Sequence, residues 1–141
     1  MPVPRRLIAT TAGLPLAFVL AGTLAACSGS SSANRQPHQG SGTASVVNGV
    51  QQLTLHASDF RFSPSMITVH PGKVRIILVN DGGGAPHNFQ VPAFPAEFIP
   101  LTSNGQQKQA TFTAPAPGTY QFVCTIHLKQ GMDGKLVVLP D

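Results

Sequence analysis

From Gln51 onward the apolar residues of this chain recur at every second position, and this period limits the fold more than any other feature. Leu53, Leu55 and Ala57 alternate with Gln52, Thr54 and His56, and Ile67 and Val69 alternate with Thr68 and His70. A period of two sends alternate side chains to opposite faces of an extended strand, so each run needs a second surface to cover its apolar face. Lys73–Asn80 (KVRIILVN), Gln109–Thr113, Thr119–Cys124 and Lys135–Leu139 read as further strands bounded by Gly, Pro or Asn. His56 and His70 fall on the polar faces of their runs, which predicts solvent exposure rather than metal binding. Pro92, Pro95 and Pro100 exclude a regular helix between Val91 and Leu101, and that segment reads as an irregular cover. About seven or eight short strands in one domain imply an all-β, two-sheet antiparallel β-sandwich.

The N-terminus follows other rules. Arg5 and Arg6 precede an apolar or small-residue run from Leu7 to Thr23, and Leu24-Ala25-Ala26-Cys27 follows it. This is the layout of an export signal with a small-residue cleavage site, and the last four residues resemble a bacterial lipobox. Residues 1–26 are therefore expected to be removed and Cys27 to be lipidated. The expected location is the outer face of the cytoplasmic membrane or the periplasm. The apolar run is short and is broken by Gly13, Pro15 and Gly22, which argues against a spanning helix. Residues 28–45 hold Ser, Gly, Ala, Asn, Gln and Thr, with His38 among them and no large apolar side chain, and read as a tether. The expected division is a signal peptide at 1–26, a lipidated Cys and tether at 27–50, and a folded domain at 51–141.

Charge narrows the function. The whole chain carries a formal +4, but loss of Arg5 and Arg6 leaves seven Lys and Arg against five Asp and Glu, a balance of +2. A balance so slight, with no cluster of basic residues, argues against nucleic acid. The chain has two cysteines. If Cys27 carries lipid, Cys124 is a lone thiol in an oxidising compartment and has no disulfide partner.

Cys124 lies at the head of Cys124-Thr-Ile-His127-Leu-Lys-Gln-Gly131-Met132-Asp-Gly134, which sets a thiolate, an imidazole and a thioether on one short loop. Hard cations prefer oxygen and zinc gains little from a thioether, whereas two His, one Cys and a weak Met suit a mononuclear copper that passes single electrons. The missing imidazole is best supplied by His87, in Gly84-Ala-Pro-His87-Asn88-Phe89, just after the apolar run ending at Asn80. Tyr120, Phe122 and Cys124 share parity on one strand, which predicts a thiol pointing into the core at the strand's end. Gly131 and Gly134 offer permissive backbone on either side of Met132.

With these residues, 52–141 resemble a cupredoxin of the plastocyanin and azurin family, a type 1 blue copper protein. The likeness rests on the spacing from Cys124 through His127 to Met132, on the flanking Gly131 and Gly134, on the pair His87-Asn88, and on Asp59-Phe60-Arg-Phe62-Ser-Pro64 followed by Ile67-Thr-Val69. It implies a Greek-key sandwich with His87, Cys124 and His127 as equatorial copper ligands and Met132 as axial ligand. It also implies that Asn88 ties the two ligand loops together by hydrogen bonding. A monomeric, membrane-anchored electron carrier is expected, not an enzyme, with c-type cytochromes or membrane oxidoreductase complexes as redox partners. A copper carrier, store or delivery protein is the alternative; carriers usually use Met- or His-rich exchangeable sites, and the chain after residue 26 has only Met66 and Met132. Val123 before the Cys, Ile126 before the His and the lack of an acidic run depart from plant plastocyanin. Around His127 and His87 stand Ile126, Leu128, Ala85 and Pro86, with Lys129 and Lys135 at the rim.

Overall fold

A computed structural model describes residues 40–141, so Cys27, the signal segment and His38 lie outside the described residues. Eleven strands follow one another: β1 (Ser41–Thr43), β2 (Ser45–Val47), β3 (Val50–Ser58), β4 (Arg61–Ser63), β5 (Met66–Val69), β6 (Lys73–Asn80), β7 (His87–Gln90), β8 (Phe98–Thr102), β9 (Gln107–Thr113), β10 (Gly118–Val123) and β11 (Asp133–Val138). The only helical element among the described residues is one 3-10 turn, Leu128–Gln130, between β10 and β11. One sheet runs β1-β5-β11-β10-β7-β8 and the other β2-β3-β6-β9, with β4 paired to β3. No helix among the described residues is long and apolar enough to cross a membrane.

The period-two reading holds at side-chain level. Leu53, Leu55 and Ala57 of β3, Val74, Ile76 and Leu78 of β6, and Ile67 and Val69 of β5 all point inward, while Thr54, His56 and His70 are exposed. Each large apolar side chain so buried contributes roughly 1.5–3 kcal/mol. His56 Nδ1 meets Asp81 at the surface. Phe62, Phe89 and Phe122 are all but fully buried, and Phe122 lies 5.2 Å from each of the other two rings, centroid to centroid. This aromatic group is the floor on which the ends of β7 and β10 rest.

Eleven strands stand where seven or eight were expected, and three further features differ from the sequence reading. The strands are mixed in direction rather than wholly antiparallel, since β1 and β11 run parallel to β5 and β3 runs parallel to β6. The folded domain begins before residue 51, because β1 and β2 each join a sheet edge. Composition hid them: Ser41-Gly42-Thr43 holds its place through backbone pairing and close approach, a Cβ on Gly42 falling 2.9 Å from Pro64 Cγ and 3.2 Å from Leu53 Cδ1. Finally, the cover between Val91 and Leu101 ends in a strand. β8 tolerates Pro100 because it is an edge strand with one paired side.

Candidate metal centre

Two loops at one end of the sandwich bring the candidate donors together. β10 delivers Cys124 with the predicted parity, and Phe122 and Cys124 are wholly buried while Tyr120 is half-buried. The chain then doubles back: His127 N–H donates to Cys124 O (3.1 Å), Met132 N–H to His127 O (3.2 Å) and Cys124 N–H to Met132 O (3.1 Å). Those three bonds knit Cys124, His127 and Met132 into one rigid loop. Gly131 closes the 3-10 turn in the left-handed region, φ 81°, where a side chain is strained. Gly134 is required for another reason, close approach: a Cβ there falls 2.2 Å from Phe122 Cζ and 2.5 Å from Ser65 O.

His87 opens β7 and is fully buried. Its loop is fixed from below by Asn80, whose Nδ2 donates to Ala85 O (2.7 Å) and Thr102 O (2.9 Å), and Thr102 is the residue paired with His87 across β7 and β8. Asn88 reaches the other loop. Its Nδ2 donates to Thr125 Oγ1 and its Oδ1 accepts from Thr125 N–H, both at 2.8 Å, next to Cys124 in the chain. A single side chain thus sets the separation of the two loops.

The result is a cluster of three lone-pair donors. His87 Nδ1 and His127 Nδ1 are 3.2 Å apart, and Cys124 Sγ lies 3.5 Å from His127 Nδ1 and 4.0 Å from His87 Nδ1. Burial lowers the pKa of His87, helped by the nearby His127 and opposed by the Asp59 carboxylate, and burial also lowers that of His127. Both shifts favour the neutral imidazole, the form whose lone pair can bind a cation. His87 Nε2 is buried without a hydrogen-bond partner. With the ring proton on that atom, Nδ1 turns its lone pair toward the other two donors. Donors at these separations can share one first-row ion, whose bonds to N and S run about 2.0–2.3 Å. Met132 is wholly buried at the end of the same loop.

Phe60 and Asp59 were not singled out as site residues by the sequence. Phe60, at the turn between β3 and β4, packs edge-on against His127 with ring centroids 4.7 Å apart, and lies 6.4 Å from His87. Nothing in the local pattern marks it, since a ring followed by strand residues reads as ordinary core. Ile126 and Leu128 flank His127 and are about half exposed.

A family model described as a cupredoxin-like domain matches residues 17–138. Among solved structures, the copper-bound metal-binding domain of the Cu(I)-exporting P-type ATPase of Streptococcus pneumoniae D39 is similar at 19% identity with a TM-score of 0.60, covering 70% of this chain and 95% of that one. Auracyanin B is similar at 22% identity and a TM-score of 0.58, covering 72% and 97%. Reduced auracyanin from Roseiflexus castenholzii gives 21%, 0.56, 63% and 97%. No curated protein sequence matches the chain.

Proposed function

Because the chain belongs to the cupredoxin-like family, we propose that it is a mononuclear copper protein that carries single electrons outside the cytoplasm. The observation that carries this reading is the convergence of Cys124 Sγ and the two Nδ1 atoms within 4.0 Å of one another at a buried strand end. Copper bound there supplies a one-electron couple. Cys124 would hold it with a soft thiolate, His87 and His127 with neutral imidazoles, and Met132 with a weak thioether. Asn88, Asn80 and the hydrogen-bonded loop hold these groups in one arrangement, so little has to move when an electron arrives or leaves. Burial of Cys124 and Met132 excludes water from the sulfur atoms. His127 is the half-buried member of the set, and the exposed Ile126 and Leu128 beside it form the face through which a c-type cytochrome or membrane oxidoreductase complex would exchange electrons.

The test is a visible spectrum of the oxidised, copper-loaded protein. An intense thiolate-to-copper band supports the reading, and its absence overturns it. Met132 then separates an electron carrier from a copper-delivery protein. Replacing Met132 by Leu is expected to raise the reduction potential, and by Gln to lower it, with copper affinity changed much less, because the three stronger donors supply most of the binding free energy. If Met132→Leu releases copper readily at unchanged potential, the delivery reading takes its place.

The anchoring proposal is tested apart from the copper. With lipidated Cys27 as first residue, the full-length precursor expressed in its host should yield a membrane-partitioning product, and Cys27→Ser should block that processing. An unmodified Cys27 in the mature chain, read by mass spectrometry, would refute it.

A further inference from the structure

Two hairpins of this domain make the same two-residue turn with very different residues. Asn48-Gly49 joins Val47 to Val50 with φ of 51° and 75°, and Asp59-Phe60 joins Ser58 to Arg61 with φ of 45° and 60°. Positive φ at both central positions is the type I′ geometry that suits the twist of a hairpin, and Asn-Gly is the pair that adopts it at least cost. A bulky side chain in the left-handed region is an outlier. Such strain persists only where the surroundings over-determine it, and it gathers at working sites.

The surroundings here do over-determine it. Below the turn, Phe62 is locked against Phe122, and Ala57 and Ser58 are paired with Phe62 and Arg61. Beside it, the loop carrying His87 presses close: a Cβ on Gly82 falls 2.9 Å from Ser58 Cβ, and one on Gly83 falls 2.8 Å from Asp59 Oδ1 and 3.0 Å from Asp59 N. The turn is wedged between the loop and the ligand cluster. Phe60 nevertheless remains 38% exposed, so burying its ring is not what the strain achieves. Among the described residues its nearest aromatic neighbour is His127, met edge to face at an interplanar angle of 69°.

We infer that Phe60 is a positioning residue: its ring, held by the strained turn, braces His127 and keeps that imidazole turned toward Cys124 and His87 whether or not a metal is present. The backbone of His127 is hydrogen-bonded within its loop, but among the described residues its imidazole has no hydrogen-bonding contact apart from those within the cluster. Rotation of His127 is the simplest way to open the site, since His87 is enclosed and Cys124 is fixed by its strand. Phe60 therefore slows metal exchange, a property that serves an electron carrier and not a delivery protein. Only this last consequence rests on the copper reading; the bracing itself does not.

Both are tested on the full chain with Phe60→Gly, Phe60→Asn and Phe60→Tyr. In the metal-free protein, side-chain NMR relaxation should show the His127 ring becoming mobile in the Gly and Asn variants and staying rigid in the Tyr variant. The thermal midpoint of metal-free Phe60→Gly should stay level or rise, because Gly relieves the turn. Copper(I) release to an excess chelator should be about three- to tenfold faster in the Gly and Asn variants, the span of an edge-to-face aromatic contact. A His127 ring as rigid in Phe60→Gly and Phe60→Asn as in the parent overturns the inference. A lowered midpoint with unchanged His127 motion does so too, and makes Phe60 ordinary packing. Failure of the parent protein to give a thiolate-to-copper band overturns the copper site instead, and the metal-free ring motion still decides the role of Phe60.

Discussion

Cys124→Ala is expected to abolish the thiolate-to-copper band completely while leaving the sandwich folded. The band requires a sulfur bound to the metal, and Met132, the other sulfur of the loop, is a thioether too weak a donor to replace a thiolate. The fold survives because Cys124 contributes little more than a small apolar volume to the core. Its removal leaves a cavity smaller than a methyl-rich side chain would, at a cost of about 1–2 kcal/mol. His127 also loses its contact at 3.5 Å to Sγ. Circular dichroism should therefore match the parent while the visible spectrum is lost. A blue band surviving in Cys124→Ala would exclude this ligand set altogether.

Gly134→Ala should cause a large loss of stability, although it adds a single methyl group. The new Cβ meets Phe122 at 2.2 and 2.6 Å and the Ser65 carbonyl at 2.5 Å, and neither neighbour can yield. Phe122 is held between Phe62 and Phe89. The Ser65 carbonyl accepts from Lys135 N–H at 2.8 Å, a bond that joins β11 to the start of β5. Overpacking of this kind costs about 1–3 kcal/mol or more. For a domain of this size the upper figure lowers the melting temperature by roughly 10–20 °C. Because Gly134 stands two residues from Met132, the damage should reach the ligand loop as well. The double variant Gly134→Ala, Phe122→Leu should recover much of the loss, since the two sites share one space. An unaltered melting temperature in Gly134→Ala would show that β11 can shift away from β5 and that the close approach is not needed.

The candidate donors could be picked out because their chemistry is local. Cys124, His127 and Met132 stand within nine positions and carry a donor set that few metals prefer, so no tertiary knowledge was needed to find them. β6 was legible for a similar reason: KVRIILVN is a largely apolar run of strand length between Pro71-Gly72 and the Gly82–Gly84 loop, and its observed limits are those expected. β1 and β8 were not. One is built of small residues and the other contains Pro100, so neither shows the pattern that burial on one face imposes.

What the sequence determined by itself is therefore the strand period, the sandwich it demands and a set of candidate donors, all properties of short windows of residues. Only the tertiary structure decided which surfaces meet. It set His87 Nδ1 3.2 Å from His127 Nδ1 across forty residues of chain, turned Asn88 onto Thr125, and brought Phe60 against His127. It also gave Gly134 its purpose, which is space for Phe122 rather than backbone freedom, as its absence from the left-handed glycines attests. The physical reason is that alternation needs only some apolar surface to cover a strand, whereas a close approach depends on which strand crosses there and at what register.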